Sequence, residues 1–242
     1  MTMIKPPKNV AWKDLILYQD DEYTVINKPA GVSTLDDRSS DVDIIHLARA
    51  ENPTATPCHR LDKETSGVLV IANNEEAYKY FAGILERREV KKIYHAVVNG
   101  IQSFQNFEAA EPLYSTGSKS RVDREGKPSL TLVQTLDTFK KHTLVKCFPV
   151  TGRMHQIRVH LAHHGAPLVG DVHYGGQEAY LSELKRNFNQ KKFEEETPMI
   201  RRVALHAFSI SFVHPKTGET KTIEAPYPKD FEVLIKQLRK FK

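Results

Sequence analysis

Three polar constellations in this chain have residue types and spacings that can do chemistry. The first is His59-Arg60-Leu61-Asp62, set just before Thr65-Ser66-Gly67 and the apolar run GVLVIA. A carboxylate fixed at the mouth of a buried strand can act as nucleophile or base, because reactive groups often sit on loops held by rigid elements. Its plainer reading is a turn whose Arg and Asp pair at the surface. The second is GRMHQIRVHLAHHG, carrying Arg153, His155, Gln156, Arg158, His160, His163 and His164. The third, Lys91-Lys92-Ile93-Tyr94, ends on a tyrosine, a residue that in a strand is ordinarily core or a cross-strand partner.

Five of the histidines lie between residues 155 and 173, so a metal site has to be weighed. No HExxH occurs, and no acidic residue lies between His155 and His164 to complete a ligand set. His155 and His160 are five apart and turn away from each other on a regular helix. Neither a metal nor a cofactor is expected, and His163 and His164 read as ordinary polar helix residues.

The elements that must position these groups follow from periodicity. Tyr23 to Asn27 is a short β-prone run stopped by KPAG, and VDIIHLARA (42 to 50) has the spacing of a short helix. GVLVIA (67 to 72) is continuously apolar, as a strand buried on both faces would be. From Asn73 the period changes: Ala77, Phe81, Ile84 and Leu85 mark an amphipathic helix, with Asn73 and Glu76 spaced as a capping box. KKIYHAVVNG reads as a strand, and LTLVQTLDTFKKHTLVKCFPV as two antiparallel ones. In the GRMHQIR segment Met154, Ile157 and Leu161 share a helical stripe that Gly165 ends. AYLSELKRNFNQKKF (179 to 193) reads as a charged, helix-like insertion. ALHAFSISFVHPKTGETKTIEA is a hairpin turning on HPKTGE, with Phe208, Ile210 and Phe212 on one face. The C-terminal PKDFEVLIKQLRKF turns Phe231, Leu234, Ile235 and Leu238 inward. This is an α+β pattern with a predominantly antiparallel mixed sheet flanked by helices. Residues 1 to 13 form an N-terminal arm and 14 to 242 a single domain.

Composition narrows the class of partner. The 242 residues carry a net charge of +5, with the excess gathered in RREVKK, KRNFNQKK and KQLRKFK. Such clusters suit a polyanion, though basic helices are often only solvated faces. Two cysteines, Cys58 and Cys147, make no disulfide framework, and no run approaches a membrane span, so a soluble, cytoplasmic protein is expected.

Taken in order, NKPAG (27 to 31), HRLDKETSGVLVIA (59 to 72), KKIY (91 to 94), GRMHQIRVHLAHHGAPLVGDVHYGG (152 to 176) and LHAFSISFVHP (205 to 215) resemble the motif series of the RluA-type pseudouridine synthases. HRLD followed by TSG is the most specific block, and the similarity runs from about residue 15 to 227.

The resemblance implies the pseudouridine synthase catalytic fold and the isomerisation of uridine in structured RNA, ribosomal or transfer. Asp62 matches the catalytic aspartate, Tyr94 the active-site tyrosine and Arg158 the arginine that pairs with the aspartate. Arg60 matches the arginine that enters the RNA where the target base has left, and Leu205 an apolar residue lining the pocket. His59, Arg153 and Gln156 lie in the same motifs and are expected to bind RNA or the base. Met154 departs from the family's usual threonine or serine. Many relatives carry an N-terminal RNA-binding domain of S4 type, and none is expected here. RNA recognition then falls to the catalytic domain, with the 177 to 201 insertion and the basic C-terminal helix as contributors. A monomer is expected. Two other functions remain: a non-catalytic RNA-binding protein, which would not need Asp62, and a histidine-ligated metal hydrolase.

Overall fold

The computed structural model describes residues 10–36, 42–186, 188 and 195–242. The described residues divide into two compact units, one within residues 10–94 and 206–227 and the other within 95–205 and 228–242.

In the first unit α1 (Trp12–Leu15) leads into β1 (Ile16–Gln19) and β2 (Tyr23–Lys28), followed by α2 (Ile44–Glu51), β3 (Thr56–Pro57), β4 (Ser66–Ala72) and α3 (Glu75–Glu86). β5 (Lys91–Asn99) is divided between the units. The strand order is β1-β2-β4-β11, where β11 is Leu205–Val213, with β3 on β4 and β12 (Thr220–Glu224) on β11. All these pairs are antiparallel except β4 with β11, which run parallel at His206↔Ser66 and Ala207↔Gly67.

β4 is the axis of this unit, and all seven of its residues are buried. Val68, Val70 and Ala72 pack with Ala77, Phe81 and Ile84 of α3. Leu69 and Ile71, pointing the opposite way, pack with Ile44 and Ala48 of α2. Helices therefore cover both faces, which is why the sequence shows a continuous apolar run rather than an alternating one.

The α3 cap differs from the expected one by a residue. Asn74, not Asn73, is the N-cap, and its side chain accepts the Ala77 N–H at 2.8 Å. Asn73 instead ties the strand ends, accepting from the Thr24 hydroxyl at 2.9 Å and donating to the Asp20 carbonyl at 2.8 Å. Two adjacent asparagines both meet the cap preference, and only the tertiary partners choose between them.

In the second unit β6 (Phe107–Ala109), β9 (Thr131–Thr138) and β10 (His142–Pro149) follow β5 in the strand order β5-β10-β9-β6, and β7 (Leu113–Thr116) with β8 (Lys119–Val122) forms a separate hairpin. α4 (Gln156–His163) and a 3-10 turn (Val172–Tyr174) come before β11, and α5 (Lys229–Lys240) closes the unit with Phe231, Leu234, Ile235 and Leu238 buried. Met154 lies before the start of α4 and so is not on its stripe. Residues 179–186 contain no helix, and of the expected 179–193 insertion 187 and 189–193 lie outside the described residues. Among the described residues no helix is long and apolar enough to cross a membrane.

Candidate active site

Asp62 sits on the loop between β3 and β4, and the loop's backbone is held on both sides of it. The Leu61 N–H donates to the Thr34 hydroxyl oxygen at 3.1 Å, while that hydroxyl donates to the Leu61 carbonyl at 3.0 Å. The Lys63 carbonyl accepts the Gly31 N–H at 2.7 Å and Lys28 Nζ at 3.3 Å. The Asp62 carbonyl accepts the Thr65 N–H at 3.0 Å. Three consecutive residues are thus fixed by partners in NKPAGVST or in the TSG segment.

Lys28 is fully buried, and its ammonium also donates to the Pro29 and Val32 carbonyls at 2.9 and 2.7 Å. A buried ammonium is tolerated where oxygens replace its water. The lysine of NKPAG therefore fastens that loop to the one bearing Asp62.

Gly67 follows the TS pair at φ +115°, and a Cβ there would lie 2.1 Å from the Ala207 carbonyl oxygen. Only glycine lets β4 approach β11 this closely. Beside it, His206 Nε2 lies 3.1 Å from the Ala225 carbonyl and its Nδ1 2.9 Å from the Ser66 hydroxyl. With Nε2 donating, a neutral ring accepts the serine proton at Nδ1.

Tyr94 is half-buried and packs on the cluster that contains Leu61 and Ala207. Burial first, and the nearby Asp62 charge second, push its phenol well above the ordinary tyrosine value. Asp62 and Tyr94 therefore feel each other within one unit. Arg60 is exposed. His59 is half-buried, stacks on Phe81 at 6.4 Å between centroids and accepts the Val70 N–H at Nε2, 3.2 Å away. Burial, and then the charge of Lys92, lower His59 to about 3, so its imidazole is neutral.

Arg158 projects from α4 and is buried. Its Nε donates to Asp171 Oδ2 at 2.7 Å and its Nη2 to Asp171 Oδ1 at 2.8 Å, a two-point clamp on one edge of the guanidinium. Tyr174 adds a ring 5.1 Å from the guanidinium carbon. Sequence reasoning missed Asp171. Its only signal was its place in VGDVHYGG, after a glycine and inside a matching motif.

These two arrangements occur in a chain whose residues 22–163 match the family model described as RNA pseudouridylate synthase. The ribosomal large subunit pseudouridine synthase C of Escherichia coli (strain K12) is 36% identical over 240 residues, covering 96% of this chain and 72% of that protein. The chain belongs to the RNA pseudouridylate synthase family. It is an RNA pseudouridine synthase. The synthase D of Neisseria meningitidis serogroup A is 35% identical over 93% of this chain and 61% of that protein. Among solved structures, human RNA pseudouridylate synthase domain containing 4 superposes with a TM-score of 0.72 at 26% identity, covering 95% and 94% of the two chains.

Elsewhere in this synthase the polar residues of the GRMHQIR segment are engaged internally. Gln156 is buried, with Oε1 accepting from the Thr151 hydroxyl and the Arg153 N–H, and Nε2 donating to the Leu130 carbonyl and the Thr131 hydroxyl. All four of its bonding positions are filled. Arg153 reaches the Pro128 carbonyl through Nε and Nη2, both at 3.3 Å. His160 is fully buried between Thr131 and the Glu111 carbonyl, and burial lowers its basicity. At Met154, the unusual residue of the motif, the backbone carbonyl accepts the Ser120 hydroxyl at 2.7 Å. Leu205 is buried at the start of β11, and its carbonyl accepts Arg202 Nη1 at 3.1 Å.

A grouping with metal-like spacing occurs among the described residues at Asp36, Asp43 and His46, none of which belongs to the histidine-rich segment. There Asp43 caps α2, and its second oxygen lies 2.7 Å from His46 Nδ1. The basic clusters are partly neutralised within the fold: Arg87 pairs with Glu89, and Arg239 and Lys242 both reach Asp137. In KRNFNQKK, 187 and 189–192 lie outside the described residues.

Proposed function

We propose that this synthase isomerises uridine in ribosomal RNA with Asp62 as the reactive carboxylate, Tyr94 as the aromatic residue on the uracil and Arg158 as the partner of Asp62. Residues 14 to 242 act as one catalytic domain. The observation that carries the assignment of Asp62 is its setting: a carboxylate on a loop fastened at residues 61, 62 and 63, within electrostatic reach of Tyr94. Ribosomal RNA is favoured by the names of the curated relatives, all large-subunit synthases among those most similar.

The reaction breaks the ribose C1′–N1 bond, turns the uracil and joins C5 to C1′. The C5 hydrogen leaves and N1 gains one, so no electrons or cofactor are required. An ionised Asp62 can attack C1′ or take the C2′ proton, and both routes begin with the same carboxylate at the ribose. A base reached by an enzyme must first leave its stack, at a cost of a few kcal/mol. Arg60, exposed and two residues from Asp62, is suited to fill the gap left in the RNA. The setting we propose is cytoplasmic, with the protein acting as a monomer.

Pseudouridine mapping in RNA from cells lacking the protein, complemented with wild type or Asp62→Ala, tests this. One or more ribosomal positions should lose the modification and regain it only with the wild type. Restoration by Asp62→Ala would remove Asp62 from the chemistry, and loss confined to transfer RNA would overturn the target.

A further inference from the structure

We propose that Asp171 and Tyr174 are positioning residues for the reaction, together fixing the plane and direction of the Arg158 guanidinium. This rests on the assignment of Arg158 as the partner of the reactive carboxylate. Both residues lie beyond the segment matched by the family model, which ends at 163.

A guanidinium is a flat fork of five donors, and it can direct one edge only when the opposite edge is held. Here Asp171 takes the Nε–Nη2 edge with two short bonds, and both side chains are almost wholly withdrawn from water, at 5% and 0% exposure. Two parallel bonds stop rotation about the last side-chain torsion. The Tyr174 ring, 5.1 Å from the guanidinium carbon, limits its tilt. The direction of Nη1 is then set by the fold rather than by whatever it meets.

Both holders are themselves fixed. Gly170, before Asp171, has φ +77°, and a Cβ there would lie 2.3 Å from the Arg202 carbonyl oxygen, so the backbone entering Asp171 has one course. The Asp171 carbonyl accepts the Tyr174 and Gly176 N–H groups at 3.1 and 2.8 Å. At the far end of the ring, the Tyr174 hydroxyl accepts the Ser120 N–H at 3.0 Å and lies 2.8 Å from His155 Nδ1. His155 adopts φ +54°, ψ +22° at the entry to α4, a left-handed conformation that a non-glycine residue keeps only when its surroundings impose it. Tyr174 thus joins the β7–β8 hairpin, the start of α4 and the arginine. A buried ion pair is a poor device for stability alone. It suits a group whose orientation matters.

The test measures single-turnover release of tritium from C5-labelled uridine in RNA taken from cells lacking the protein, beside RNA affinity and melting temperature. Asp171→Asn should slow release by roughly ten- to a hundredfold, the scale of a small misplacement of a reacting group, with RNA affinity within about twofold. Tyr174→Leu should slow it by about three- to tenfold, and Tyr174→Phe, which keeps the ring, should recover most of that loss. In an Arg158→Lys background, where the fork is gone, adding Asp171→Asn or Tyr174→Leu should change the rate by less than about twofold. Additive losses, or a fall in melting temperature with an unchanged rate, would overturn the proposal. If Asp171→Asn does not fold, the Tyr174 series decides alone. A wild-type rate for Arg158→Lys would instead refute the role of Arg158, and the inference with it.

Discussion

Because burial and the Asp62 charge both oppose ionisation of Tyr94, it stays a phenol throughout the neutral range. Such a ring can stack on uracil and offer a proton or a hydrogen bond, but it is not a resident base. Tyr94→Phe should therefore keep RNA affinity within about twofold, stacking being retained, and lower the single-turnover rate by at least about tenfold if the hydroxyl handles a proton. The wild-type rate should show no rising limb from this group below about pH 10, its ordinary value. His59 gives a second pH dependence, through stability. Its imidazole is held near a pKa of about 3 against an ordinary 6.5, so the unfolded chain binds the proton between those values and the fold does not. The contribution is fully present above pH 6.5 and is lost as pH falls toward 3. Denaturant titrations at pH 7 and 4.5 should show wild type losing more than His59→Gln, by at most about 1.4 kcal/mol per pH unit. Asp62, Tyr94 and Arg158 were legible as candidates because they sit in motifs. The fastening of Lys28 to Lys63, of Gln156 to Leu130 and Thr131, and of Asp171 to Arg158 was not, since these partners lie 13 to 35 residues away and leave no trace in local spacing.

Among the elements, legibility followed apolar pattern. The continuous run of β4 and the stripe of α5 were readable, because burial on two faces or on one dictates those sequences. The β7–β8 hairpin was not. Its segment, LYSTGSKSRV, buries only Leu113 and Ser120, so no alternation marks it. Its anchorage is polar instead, through Ser120 to Tyr174 and Met154. Where the helical pattern of 179–186 failed, Ala179 and Leu184 are buried without a helix, so two apolar anchors are met by an irregular backbone and helical spacing did not decide the conformation. Gly67 offers the sharpest test of an element. Gly67→Ala places a Cβ 2.1 Å from a backbone oxygen at a positive φ, so strand separation must follow. Calorimetry should record a loss of more than about 3 kcal/mol, well outside the common range for a single methyl group. An unaltered melting temperature would refute this close approach of β4 and β11.

For the whole molecule, charge and chain order matter most. Lys79, Arg87, Arg121, Lys141, Lys216, Lys221, Arg239 and Lys242 each lie against an acidic group, so many of the 35 basic residues are compensated internally. If the net excess of five charges sets the number of phosphates neutralised, RNA affinity should fall with a log–log salt slope of about −3.5 to −4.5. A slope flatter than about −1, measured by filter binding, would place recognition on uncharged contacts. Chain order has a different outcome. β4 has β2 and β3 beside it early, but its parallel neighbour β11 lies 140 residues later, as the Ser66–His206 bond marks. At about 5 to 20 residues per second of synthesis, the Ser66–Gly67 end of β4 waits roughly 7 to 28 s for its β11 partner, while β3 already pairs with Ile71 and Ala72. During that interval the start of the strand, beside the Asp62 loop, is open on one edge, and open strand edges are what chaperones cover and what pair with their own copies. Translation halted before residue 206 would leave the nascent chain dependent on such protection.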